Sequence, residues 1–185
     1  KPCVIFFGKI YDPKKQEYSS CSLVIRSITR KLYILPKPEY EDENGIKEVY
    51  SEFERLRGTK FNYIKQFACK PKEKKYCFEL PVDHDKPHKV LKVTYCADLG
   101  VIPQNLVGET FDYIFGKNTS LLEMIMLSRK LKGPCWLKIS NFQYGNNLTN
   151  TWSKFEVGII DYKSFEIAKD CRLPTPPMKI LALST

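Results

Sequence analysis

The chain has 185 residues, 43% of them hydrophobic and 13% aromatic, and carries 30 Lys+Arg against 21 Asp+Glu for a formal net charge of +9. That length supports a packed core, as one domain or one domain with sub-lobes. The positive field favours a polyanionic partner without choosing among nucleic acid, acidic lipid and acidic protein. No run of 18 apolar residues occurs, so no membrane-spanning helix is expected, and no membrane partner is assigned. Lys1–Gly8 is too short and too quickly charged for a secretory leader. Seven scattered cysteines fit a reducing compartment, and in that setting the sequons at Asn118 and Asn147 are read as chance.

The first third predicts a β-meander followed by a helix. Val4–Ile10 is apolar and extended, Asp12-Pro13-Lys14-Lys15 has turn chemistry, and Ser22–Ile28 and Lys31–Leu35 are rich in β-branched and aromatic residues. After the acidic linker Glu39–Glu43, the apolar residues Ile46, Val49, Tyr50, Phe53 and Leu56 recur at helical spacing, with Gly58 placed to stop the helix. Its charged residues Lys47, Glu48, Glu52, Glu54, Arg55 and Arg57 are expected on a solvated face.

The middle third predicts strands at Phe61–Phe67, Lys75–Leu80 and Val90–Tyr95. They are joined by the basic loop Lys70–Lys75 and the tip Asp83–His88. Gly108–Gly116 is expected to be a short helix burying Phe111, Ile114 and Phe115. A second helix follows, capped by Ser120 with Glu123 reaching back. It is apolar on nearly every face and therefore expected to be buried, with Arg129, Lys130 and Lys132 in its last turn and Gly133-Pro134 as its stop. Strands at Trp136–Ile139 and Trp152–Ile160 precede a Pro-rich link to the apolar run Met178–Leu183. That run has the character of a strand buried on both faces at the threshold of a further domain.

The phosphate loops, nucleophile elbow and zincin pair are all missing, and so is any paired-cysteine knuckle. Pro87 between His84 and His88 argues against helical metal ligation. No catalytic and no metal-binding residue is therefore assigned. Lys70, Lys72, Lys74 and Lys75 are candidate phosphate contacts. Nearby aromatics at Phe61, Tyr63, Phe67, Tyr76 and Phe78 are read mostly as core rather than as stacking surfaces.

One block is more specific. Gly108-Glu-Thr-Phe111, Phe115-Gly-Lys-Asn-Thr-Ser120, Leu122-Glu123 and Arg129-Lys-Leu-Lys-Gly-Pro-Cys-Trp-Leu137 together resemble the N-terminal region of the B-family DNA polymerases, in the primase-associated branch that extends RNA primers with DNA. Phe7-Gly-Lys9, Leu32-Tyr-Ile-Leu-Pro36 and Lys75-Tyr-Cys-Phe-Glu-Leu-Pro81 resemble it too, so the likeness covers essentially the whole chain.

The resemblance implies an α+β fold, a β-rich mixed N-terminal domain over residues 1–177 with sub-lobes near 1–60, 61–100 and 101–177. Residues 178–185 would begin a degenerate exonuclease-like (ribonuclease H-like) domain. It implies a non-catalytic scaffold flanking the template path in a nuclear DNA-directed DNA polymerase. Template DNA, an RNA/DNA primer, the remaining polymerase domains, primase and an accessory B subunit would be its partners.

This piece itself needs no cofactor. Mg2+ would act in the palm, and zinc and an iron–sulfur centre would lie in the C-terminal region of the parent. Ser184 stands where proofreading relatives carry the first exonuclease aspartate, and a neutral hydroxyl cannot replace that carboxylate at a metal. The candidates for facing the template are Lys70, Lys72, Lys74, Lys75, Arg129, Lys130 and Lys132. The rival reading is a stand-alone module binding RNA or single strands.

Overall fold

A computed structural model describes residues 1–75, 86–145, 151–174 and 176. The described part is a mixed α+β, strand-rich fold of ten strands and two α-helices. It divides into two units that are not consecutive in sequence. Lys1–Pro2 joins Ser27–Met124, and Cys3–Arg26 joins Ile125–Thr185.

In the second of these units, β1 (Val4–Asp12) and β2 (Glu17–Ile25) form an antiparallel hairpin, Val4 opposite Ile25 and Asp12 opposite Glu17. The predicted turn is present: the Asp12 carboxylate accepts from Lys14 N at 2.9 Å. The meander does not continue to a third strand. β2 instead pairs in parallel with β9 (Phe155–Ile159), Cys21 opposite Phe155 and Ile25 opposite Ile159, and β8 (Gln143–Tyr144) closes the order β1-β2-β9-β8. A separate ribbon pairs β7 (Leu137–Ile139) with β10 (Phe165–Ile167).

The buried Glu156 anchors the segment before β9. It accepts from Thr151 N at 3.1 Å and from the Thr151 hydroxyl, which also lies 3.2 Å from Ser22 Oγ on β2. A paired, buried polar cluster of this kind ties elements distant in sequence together while leaving few hydrogen-bonding groups unsatisfied.

The other unit is a four-stranded sheet in the order β4-β5-β3-β6, with α1 (Glu43–Lys60) on one face. Its strands are β3 (Thr29–Pro36), β4 (Phe67–Lys74), β5 (His88–Cys96) and β6 (Phe111–Phe115). Asp42 caps α1, accepting from Gly45 N at 2.6 Å. The face carrying Ile46, Val49, Phe53 and Leu56 packs on Leu32, Ile34, Leu91 and Val93, as helical periodicity requires.

Several expectations are corrected here. Gly58 does not stop α1, which runs on to Lys60. A glycine inside a helix costs about 1 kcal/mol, and the buried face outweighs it. Phe61–Phe67 is not a strand. Phe61 and Ile64 are buried in a turn beneath the helix end, with the Phe61 ring 5.3 Å from Phe53, so their apolar character reflects burial rather than strand pairing. The basic run is not a loop, because Lys70–Lys74 is itself the body of β4. Gly108–Gly116 is not helical: Phe111–Phe115 is β6, antiparallel to β3, with Ile114 opposite Ile34. Phe111 and Ile114 are nevertheless buried as expected. The predicted strand Lys75–Leu80 after Lys75, the first half of the Asp83–His88 tip (residues 83–85), and the terminal segment Met178–Thr185 with Ser184 lie outside the described residues.

The second helix, α2 (Leu121–Arg129), is capped as expected by Ser120 Oγ, which accepts from Glu123 N at 3.1 Å. It is not buried on all sides. Met124 and Ile125 are buried, whereas Leu122 is 45% and Leu127 69% exposed. Nor does Gly133 end it. Lys130 takes a left-handed conformation (φ 57°), Lys130 N donates to Leu127 O and Leu131 N to Met126 O, the paired bonds of a Schellman termination. Lysine holds this conformation against a cost of about 1 kcal/mol that glycine would avoid. Lys130→Gly should therefore raise the chemical-denaturation midpoint with an unchanged denaturant slope.

Candidate nucleic-acid interface

The face of the β4-β5-β3-β6 sheet opposite α1 gathers the charge that the sequence scattered. Strand residues two apart share a face, so Lys70, Lys72 and Lys74 point the same way from β4. Antiparallel register then aligns rows across the sheet. Lys70 stands opposite Lys92, Lys92 opposite Tyr33, and Tyr33 opposite Phe115. The neighbouring rows place Thr94 opposite Lys31, and Leu35 opposite Tyr113. Leu35 and Val90 are buried under Tyr33, Tyr113 and Phe115, which remain half-buried themselves. The face is thus graded, with ammonium groups at the β4 edge and rings toward β6.

Electrostatics register the crowding. Burial, and then the positive charges of Lys31, Lys70, Lys72 and Lys74, hold the Lys92 ammonium below the usual lysine range. Lys74 Nζ lies 4.4 Å from the centre of the Tyr33 ring, a cation–π contact. Pro71, within β4, is compatible with an edge strand because it lacks an N–H to donate outward. With the lysines it also blocks edge-to-edge pairing with another chain.

The candidates identified from sequence therefore have different surroundings. Lys70, Lys72 and Lys74 share one face, and the exposed Lys75 follows directly. Arg129, Lys130 and Lys132 belong to the other unit. There the half-buried Arg129 guanidinium donates to Phe165 O and lies 5.5 Å from the Phe165 ring, Lys130 terminates α2, and Lys132 is exposed. Sequence reasoning missed Lys31, Tyr33, Lys92, Tyr113 and Phe115. The alternation Lys31-x-Tyr33-x-Leu35 was a signal for the first two. Reading residues 108–116 as a helix hid the last two. Among the described residues no group of three or more His, Cys, Asp or Glu side chains is placed to hold a metal ion.

The expected solvated face of α1 also needs correction. Glu52 is only 6% exposed. Its carboxylate accepts from Glu109 N at 2.7 Å, Thr110 N at 2.8 Å and Thr110 Oγ1 at 2.6 Å. The Gly108-Glu-Thr-Phe111 block is therefore the strap that receives α1. Gly108 is required because a Cβ there would lie 2.2 Å from the Phe111 ring.

A basic sheet face interleaved with aromatic rings is the kind of surface by which proteins handle nucleic acid strands. No family model matches the chain. Curated relatives do. The chain is 33% identical over 96% of its length to the DNA polymerase alpha catalytic subunit of Oxytricha trifallax, and 36% and 37% identical over 100% of its length to those of Xenopus laevis and Mus musculus. It spans 12–13% of the length of these relatives. That similarity supports reading the chain as a DNA polymerase region. The chain belongs to the DNA polymerase alpha catalytic subunit family.

Proposed function

We propose that this chain is the non-catalytic N-terminal region of a DNA-directed DNA polymerase and acts as a scaffold beside the template path. The observation that carries the reading is similarity over 96–100% of this chain to catalytic subunits of which it spans only 12–13%. The basic face around Lys70, Lys72, Lys74 and Lys92 is the surface suited to the nucleic acid.

In the parent, primer extension takes place in a palm that binds Mg2+, and zinc and an iron–sulfur centre sit in the C-terminal region. Primase, an accessory B subunit, template and RNA/DNA primer are the partners, in the nucleus. Residues 1–177 form the N-terminal domain and 178–185 open an exonuclease-like domain without proofreading activity, Ser184 taking the place of the first metal-binding acid.

Fluorescence titration of the chain with labelled single strands tests the reading. Weak, sequence-independent binding is expected, with affinity falling steeply between 50 and 200 mM salt, about 0.7 in log–log slope for each phosphate neutralised. Tight, sequence-specific binding would favour a stand-alone single-strand module instead. Incubation with labelled DNA and Mg2+ or Mn2+ should release no nucleotides. Metal-dependent degradation would overturn the assignment of Ser184.

A further inference from the structure

The graded face of the sheet defines more than a patch of charge. We propose that it is a platform for an unpaired nucleic acid strand, with Lys70, Lys72, Lys74 and Lys92 holding phosphates and Tyr33, Tyr113 and Phe115 receiving bases. The proposal rests on the polymerase reading above and assigns the contact to particular residues.

Three observations carry it. Side chains two apart on β4 repeat about every 6.8 Å, comparable to the separation of successive phosphates in an extended single strand. The lysines therefore present a ladder in step with a backbone running along the edge strand. The rings lie across the sheet from that ladder, Tyr33 two strands from β4 and Phe115 three. The bases of a strand whose phosphates follow β4 project toward them. The row positions Lys31, Tyr33, Leu35, Lys70, Lys72, Lys74, Val90, Lys92, Thr94, Tyr113 and Phe115 include no Asp or Glu. At one end of the face Glu41 lies 3.3 Å from His88, which stands opposite Lys74, so the field is partly offset there. Along Lys70, Lys72 and Lys92 the crowded charges are all positive, and the ammonium of Lys74, resting on the Tyr33 ring, is available to a competing phosphate. Duplex DNA fits poorly, because its bases are stacked on one another and closed to the rings.

The test uses the 185-residue chain and an oligothymidylate containing 5-iodouracil, in three measurements. Photocrosslinking to the unmodified protein, mapped by mass spectrometry, is expected at Tyr33, Tyr113 or Phe115. Tyr33→Leu and Phe115→Leu keep apolar bulk under the face while removing the ring. Each should weaken binding about fivefold or more with an unchanged salt slope and an unchanged melting curve. Lys70→Gln combined with Lys72→Gln and Lys74→Gln should lower the log–log salt slope by about 2. Crosslinks confined to Ile125–Thr185, or leucine variants that fold and bind as well as the parent, overturn the platform while leaving the polymerase scaffold standing. Competition by duplex DNA or by phosphatidylserine vesicles as strong as that by the single strand also overturns it. Absence of any single-strand binding by the parent chain defeats both the platform and the proposed role beside the template.

Discussion

Glu52→Ala is expected to destabilise the protein by about 2–4 kcal/mol, measured by urea denaturation at neutral pH. The side chain is 6% exposed, and its carboxylate is the acceptor for two backbone N–H groups and one hydroxyl at 2.6–2.8 Å, with Arg55 at 3.4 Å. Truncation leaves the Thr110 donors inside the protein with no partner, and that desolvation loss exceeds the modest net value of a satisfied hydrogen bond. Glu52→Gln keeps the shape and one accepting oxygen, so its loss should be smaller.

The same contact makes a pH prediction. Burial works to raise the Glu52 carboxyl. The hydrogen bonds from Glu109 and Thr110, with the charge of Arg55, outweigh it and hold the folded-state value below the ordinary one. A lowered folded-state pKa contributes stability that is complete above the unfolded value, about 4.3 for glutamate. That contribution is lost as pH falls through the folded value. The stability of the parent should therefore decline more steeply below about pH 4.3 than that of Glu52→Gln. Parallel acid profiles for the two proteins, or a Glu52→Ala variant within 0.5 kcal/mol of the parent, would show that the strap does not depend on this carboxylate.

The second large effect concerns the strap's other end. Phe111 is 1% exposed in the main core, and Phe111→Ala should cost about 3–5 kcal/mol through lost burial and the cavity it leaves. Gly108→Ala, which drives a Cβ to 2.2 Å from that ring, should cost about 1–3 kcal/mol by overpacking. The two changes meet in one space, so they should not add. In the Phe111→Ala background, Gly108→Ala should be nearly neutral, a coupling well beyond the additivity error of about 0.5 kcal/mol. Additive losses would mean that glycine is needed there for another reason.

The local signals that succeeded were those with a strong period or a specific cap. The apolar stripe of α1, the β5 run, the Asp12 turn and the Ser120 cap could all be read because each depends on residues within a few positions of one another. The failures have physical causes. Phe111–Phe115 offers apolar residues at a spacing compatible with a helix, and only pairing with β3, far away in sequence, makes it a strand. Lys70–Lys74 looks like a solvated loop because its outward positions are all lysine, yet Phe67 and Cys69 pack against the core on the other face, with Cys69 opposite Val93. Glu52 looks solvent-facing by composition and is buried because a strap some 57 residues away supplies its partners.

The primary structure alone determined the family, the positive charge, the main helix and most of the apolar residues that fill the core, because these follow from residue identity and short-range spacing. Tertiary structure alone decided which strands share a sheet, that β2 pairs with β9 rather than β3, and that lysines from three strands meet a row of aromatic rings. Turn geometry fixes register locally only within a hairpin such as β1–β2. Between strands distant in sequence it is set by which faces are buried across the unit, and the chain shows that only once it is folded.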